Sequence, residues 1–411
     1  MPRSSGNIPG KKLNMISVLF DLDDTLINNN AEHFTRVYLG VLGKYLKSDV
    51  DPQKMVAALL EGTRMMVTKT TIAGTLENTF DRSFYPAIGF SKDQLAGKLG
   101  NFYETIFPVL EPETSPRPEA VNVVMECLSH GWNVAVATNP LFPIAAVLHR
   151  LKWAGLDSSV IPFTAITSFD TYHFAKPQPA FFSEVAARIS AFDHPVVMIG
   201  NDLNDDIIPA GNAGIPAFWL NDSKEPLPSG LPKGCASGKM EEIFPWLLQI
   251  EQNWDYTSPK PEAALLAALR GGAAAIDAIV NNFPPSQWNT RPSESEWCIT
   301  EILCHLRDVD TEINLVRVKT ILQQTQPFIA GIESDRWSVE RDYLHQDCKD
   351  ALLSFINVRQ TLIDHLEQAT SEDWNRVIRH SIFGPTTLKE LVGFIVGHDN
   401  NHIKQIKKQT K

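Results

Sequence analysis

Four short runs of consecutive apolar residues punctuate the first 250 positions: MISVLF at 15–20, WNVAVA at 132–137, PVVMIG at 195–200 and IPAFWL at 215–220. Each is bounded by turn-forming residues and separated from the next by amphipathic stretches. This is the pattern of strands buried on both faces of a parallel α/β sheet. Ligands of such sheets bind beyond the carboxyl ends of the strands. The polar residues that follow each run are therefore the expected place for chemistry.

The period changes between about 28 and 114. Residues 34–46 and 93–107 repeat apolar positions at helical spacing, so this stretch reads as a helical insertion after the first strand. The sheet pattern closes near 240–249 with a helix, MEEIFPWLLQ, completing a unit over 15–252. Residues 253–262 (NWDYTSPKPE) combine Pro, Ser and charge and read as a linker. Beyond it, apolar positions recur at helical spacing over 263–280, 299–322, 351–366 and 388–406. Four such segments predict an all-α, antiparallel four-helix bundle over 263–411.

The first 14 residues, MPRSSGNIPGKKLN, are polar and carry Pro and Gly. They read as a disordered leader and lack the apolar core of a secretory signal. No apolar run approaches the roughly 20 residues that span a bilayer, so a soluble, cytoplasmic protein without a membrane partner is expected. At roughly 100–200 residues per domain, 411 residues suit two or three domains. A net charge of −11 argues against nucleic acid as a partner. It leaves room for small phosphorylated substrates, because a bound metal reverses the field locally. The five cysteines form no CxxC pair and are odd in number, which points to free thiols.

The first run ends in Phe20-Asp21-Leu22-Asp23-Asp24-Thr25-Leu26. Alone, a DxDxT segment suits an Asx-turn or a helix cap equally well. Three further segments change its meaning. Thr138 and Asn139 follow the second strand and offer a hydroxyl and backbone N–H groups to a phosphate. Lys176, in Ala-Lys-Pro-Gln-Pro, offers a fixed cation. Asp202, Asp205 and Asp206 follow the third strand and offer metal ligands. A nucleophilic carboxylate, a second carboxyl for proton transfer, phosphate anchors, a cation and a metal site are the parts that phosphoryl transfer requires.

These four segments, in this order, resemble the haloacid dehalogenase (HAD) superfamily over about residues 15–250. The resemblance implies a Rossmann-like α/β core with a C1-type cap at about 28–114. It implies Asp21 as nucleophile and Mg²⁺ ligand, and Asp23 as acid/base with its carbonyl on Mg²⁺. Thr138, Asn139 and Lys176 would hold the phosphoryl group. Asp202 would be a direct ligand and Asp206 a direct or water-mediated one, with Asp205 as a substitute. Many relatives carry Gly-Asp where this chain has Gly200-Asn201, which leaves the ligand assignment open. Asp23 favours a phosphatase, or alternatively a phosphomutase, over carbon–halogen cleavage. The expected substrate is a small phosphorylated metabolite.

A second constellation lies in the bundle. His398 and His402 are spaced i, i+4 and share a helix face, while His305 lies on another predicted helix. Such pairs also occur without a metal; three neutral imidazoles with open positions suit Zn²⁺, Ni²⁺ or Fe²⁺. With Trp297, the following ITEILCHL at 299–306 and Gln405, residues 260–411 resemble the DinB-like (DinB/YfiT) family of four-helix metal proteins. His345, His365 and His380 do not match and are expected at the surface. The resemblance leaves two alternatives for the bundle: a metal-dependent thiol transferase, or a non-catalytic module for binding or homodimerisation.

Overall fold

The four apolar runs become the central strands of a six-stranded sheet. These are β1 (Ser17–Phe20), β2 (Asn133–Val136), β4 (Val196–Gly200) and β5 (Ala217–Leu220). Two short strands, β3 (Ala165–Ile166) and β6 (Ala236–Gly238), close the edges, giving the order β3-β2-β1-β4-β5-β6. Every pairing is parallel. The computed structural model describes residues 15–223, 225–254, 260–325, 327–334 and 336–409. The expected leader, 1–14, and residues 255–259 of the expected linker lie outside the described residues.

β1 is flanked by β2 on one side and β4 on the other, in register from Ser17 opposite Asn133 and Val196. The chain thus winds outward in both directions from β1. The carboxyl ends of these three strands open the crevice of a topological switch point. Strand alternation splits the sheet's side chains between two cores. Val18, Phe20, Val134, Val136, Val197 and Ile199 face one; Leu19, Ala135, Met198 and Ala217 face the other.

The helical insertion comprises Ala31–Leu46, Pro52–Thr68, Leu76–Ile88 and Lys92–Asn101. Side chains of Asn30, Asp51 and Thr75 each accept a bond from a first-turn N–H and so set three of the starts. A ribbon pairing Ile27–Asn29 with Thr114–Pro116 brings the two ends of the insertion side by side.

The C-terminal region contains α2 (Glu262–Asn281), α3 (Ile299–Val309), α4 (Cys348–Glu367) and α5 (Leu388–Lys408), behind α1 (Pro179–Arg188) of the first region. The two regions are not separate bodies on a tether. Phe181, Phe182 and Val185 of α1 share one continuous core with Leu269, Ala273, Ile276 and the remaining bundle helices. α2 crosses α1 at Gly271, where an added Cβ would stand 2.4 Å from the Glu184 backbone N. Only glycine permits so close a backbone approach. By length and hydropathy α2 could cross a bilayer, contrary to the sequence expectation. However, 72% of its most apolar window is buried inside the fold, and it serves as the helix between the two regions.

The bundle is tied internally by Arg359. It is fully buried and donates to Asp310 (Nε to Oδ2, 2.6 Å) and to Asp399 (Nη2 to Oδ1, 3.1 Å). A small sheet of Phe328–Ile329, Val377–His380 and Gly384–Thr387, which helical periodicity could not reveal, joins the helices. It corrects one expectation. His380 is buried, not at the surface, because strand alternation turns it inward with Ile378. Its Nδ1 accepts from the N–H groups of Ile382 and Phe383. His345 is exposed and His365 half-buried. All five cysteines are free.

Candidate active site and metal centre

Asp21 stands immediately beyond β1, and its backbone N–H continues the sheet by donating to Ile199 O (2.9 Å). Its side chain is nearly buried. Lys176 reaches it from the loop before α1: Nζ donates to Asp21 Oδ1 and to Asp206 Oδ1, each at 2.6 Å. Burial would lower the Lys176 ammonium, but Asp206 and Asp21 outweigh that and hold it above its ordinary value.

The acidic segment after β4 divides its labour. Asp202 is exposed, and its Oδ1 accepts from the N–H groups of Asn204 (2.7 Å) and Asp205 (2.9 Å), capping the turn. Asp206 is buried; its Oδ2 accepts from Asp202 N (3.0 Å) while its other oxygen faces Lys176. A Cβ on Gly200 would lie 2.2 Å from Asp206 Oδ2, so glycine at the end of β4 is what lets Asp206 come in. Asn201 has a structural use: its Oδ1 accepts from Thr25 Oγ1 (3.2 Å) and its carbonyl from Trp219 Nε1 (2.9 Å). The loops after β1 and β4 are thereby joined.

Thr138 is buried beyond β2, with its carbonyl accepting from Thr167 Oγ1 (2.6 Å). Asn139 Oδ1 accepts from the backbone N–H of Lys176 (3.2 Å), so the second and third segments are directly bonded. Asp23, partly exposed, accepts at Oδ1 from Asn29 Nδ2 (2.8 Å) and from Arg150. Arg150 escaped the sequence reading. It sits on the buried face of the helix Ile144–Trp153 with Ala146, Val147 and Leu151, where an arginine in an apolar stripe was the available signal. Its guanidinium lies near the rings of Phe34 (5.5 Å) and Phe142 (5.7 Å), and burial lowers its pKa to about 10 against the charge of Asp21.

The donor set fits a hard divalent cation. Burial pushes the Asp206 carboxyl up to about 7, with Asp21 adding to the rise against Lys176. Two carboxylates, of Asp21 and Asp206, share the one ammonium of Lys176. Carboxylate oxygens of Asp21 and Asp206, with Asp202 and Asp205 beside them, are the ligands such ions take.

The three histidines of the bundle also meet. His398 Nε2 lies 3.0 Å from His305 Nε2 and 3.1 Å from His402 Nε2, so three ring nitrogens converge on one point. His402 donates from Nδ1 to Gln405 Oε1 (2.8 Å), which leaves its Nε2 lone pair directed at that point. Trp297 stacks on His402 with rings 3° from parallel. Burial, reinforced by the neighbouring rings, depresses His305 to about 3 and His402 to about 4, so both stay neutral as metal binding requires. His305 and His402 are buried and His398 is half-exposed, giving the cluster one open side.

Comparison with known proteins matches two separate stretches of the chain. The family of haloacid dehalogenase-like hydrolases matches residues 17–214, and the DinB superfamily matches residues 268–406. Phosphoglycolate phosphatase of Caulobacter vibrioides is 26% identical over 211 residues, 51% of this chain and 80% of that protein. Protein YuaE of Bacillus subtilis is 27% identical over 130 residues, 29% of this chain and 80% of that protein. Among solved structures, the four-helix YfiT of Bacillus subtilis aligns with 38% of this chain and 90% of its own, at 20% identity and a TM-score of 0.34.

Proposed function

Because residues 17–214 belong to the haloacid dehalogenase-like hydrolases and residues 268–406 to the DinB superfamily, we propose that this chain is a magnesium-dependent phosphatase of a small phosphorylated metabolite, with a transition-metal centre in its C-terminal bundle. The observation that carries the first part is Lys176 bonded to both Asp21 and Asp206 at the ends of β1 and β4. A phosphatase among its relatives supports a phosphate monoester as substrate.

Asp21 is the nucleophile: one carboxylate oxygen attacks phosphorus in line, the ester P–O bond breaks, and the phosphoryl group rests on Asp21 as an acyl phosphate. Asp23 gives a proton to the departing oxygen. It then takes one from the water that opens the acyl phosphate and releases inorganic phosphate. Lys176 and Thr138 hold the non-bridging oxygens, and Asn139 keeps Lys176 in place through its backbone N–H. Asp21, Asp206, the Asp23 carbonyl and Asp202 would hold magnesium, which would supply the positive charge that lets an anionic carboxylate approach an anionic phosphate. A panel of phosphorylated metabolites, assayed for phosphate release with wild type and Asp21→Asn, tests this reading. Activity that survives the substitution sinks it.

The second part rests on the convergence of His305, His398 and His402 Nε2. Three neutral imidazoles with an open side suit Zn²⁺, Ni²⁺ or Fe²⁺ and leave positions for an exogenous ligand. Metal analysis of the purified chain, with and without His305→Ala, tests it by the loss of one equivalent of transition metal.

A further inference from the structure

Lys176 owes its place to the segment 171–178, and that segment is held from three directions. From α1, Glu184 accepts from the His173 backbone N–H (3.0 Å to Oε2) and from the His173 ring Nδ1 (2.9 Å to Oε1). From the helical insertion, Lys69 donates to the His173 carbonyl (3.1 Å). Gln178 Nε2 returns to the carbonyls of Val67 (3.0 Å) and Lys69 (2.6 Å). From the bundle, Asp277 of α2 places Oδ2 2.8 Å from His173 Nε2.

His173 is completely buried, and each ring nitrogen faces a carboxylate. Both nitrogens therefore donate, and the ring is an imidazolium. Burial opposes that charge, but Glu184 and Asp277 outweigh it and raise the His173 pKa. The arrangement is more than docking surface. The apolar contact around Gly271 already joins α1 to α2, whereas the Asp277 bond lands three residues from Lys176 in the chain. Removing one carboxylate would leave a buried cation half-satisfied, and the segment would shift to relieve it.

We propose that Asp277, from the bundle, is a positioning residue of the phosphatase site: by pinning His173 it fixes the segment 171–178 and so holds Lys176 on Asp21 and Asp206. This rests on the phosphatase reading of Asp21, and it makes the bundle a working part of the hydrolase.

The test uses the full chain with Asp277→Ala and Asp277→Asn. Hydrogen exchange is followed by mass spectrometry, and hydrolysis of p-nitrophenyl phosphate is measured in magnesium. Asp277→Ala is expected to speed exchange in 171–178 by about tenfold while leaving 398–405 unchanged. It should lower kcat/KM roughly tenfold through misplacement of Lys176. Asp277→Asn, which keeps an acceptor for His173, should recover most of both losses. Should Asp277→Ala fail to fold, Asp277→Asn decides on the same two readouts, with residual losses of about threefold expected in each. Exchange in 171–178 equal to wild type, together with kcat/KM within about twofold, overturns the proposal. If wild type releases no phosphate from any monoester, the phosphatase reading fails, and exchange in 171–178 still decides whether Asp277 fixes the segment.

Discussion

The buried guanidinium of Arg150 is bonded through Nη2 to Oδ1 of Asp23, the same oxygen that accepts from Asn29. Two donors on one carboxylate oxygen fix the plane of the group. Among the described residues no side chain is bonded to Oδ2, which leaves that oxygen for proton transfer. Arg150→Met should therefore weaken leaving-group protonation selectively. We expect kcat for alkyl phosphates to fall by at least about tenfold, and for p-nitrophenyl phosphate, whose leaving group needs little protonation, by less than about threefold. Equal losses on the two substrates would assign Arg150 a packing role only.

Gly200 and Asp206 are matched sterically. Gly200→Ala puts a methyl where Asp206 Oδ2 now lies, so Asp206 must leave its place beside Lys176. The magnesium concentration needed for half-maximal activity should rise by about tenfold or more, with the fold retained by circular dichroism. Activation by magnesium at wild-type concentrations would exclude Asp206 from the metal site.

Much of this site was legible in the sequence because its parts sit at strand ends. Buried parallel strands appear as continuous apolar runs, so the sequence alone places Asp21, Thr138 and the 202–206 segment at strand ends. What was not legible depends on three-dimensional approach. Asp202 and Asp206 are equivalent in spacing, and only the turn that Asp202 caps, together with the gap left by Gly200, distinguishes them. Arg150 lies on an amphipathic helix, and only the packing of that helix brings its guanidinium to Phe34 and Phe142 beside Asp23. The two- and three-residue edge strands are too short to carry a period, and His380 was misjudged because its strand was unseen. The union of the two regions was hidden for a related reason. Apolar residues of α2 read as the core of its own bundle, and nothing in their spacing says that one face belongs to α1.

Gln405 fixes the tautomer of His402 by accepting from Nδ1. Gln405→Leu should lower transition-metal affinity by roughly 10–100-fold. It should leave phosphate release unchanged, since Gln405 touches no residue of the first site. Competition with a chromogenic chelator measures the first, and the phosphatase assay the second.

His173 gives the stability of the chain a pH dependence of definite sign. Its folded pKa is raised above the ordinary 6.5 by Glu184 and Asp277. Arg188, 3.7 Å from Glu184, and Lys69, on the His173 carbonyl, are the cations nearby. The folded state binds the extra proton, so this stabilisation is complete below about pH 6.5 and is lost as pH rises through the higher folded value. The melting temperature of wild type should therefore fall from neutral to alkaline pH more steeply than that of His173→Gln. Parallel curves would mean that the ring is neutral in the fold.

The central claim is that Asp21 carries the phosphoryl group. The direct measurement is acid quench of the enzyme during turnover of a ³²P-labelled monoester, followed by borohydride reduction and peptide mapping. The account expects ³²P on the quenched protein before reduction, release of that label as inorganic phosphate on reduction, and conversion of Asp21 alone to homoserine. Turnover with no label on the protein, or reduction mapped to another residue, would contradict it.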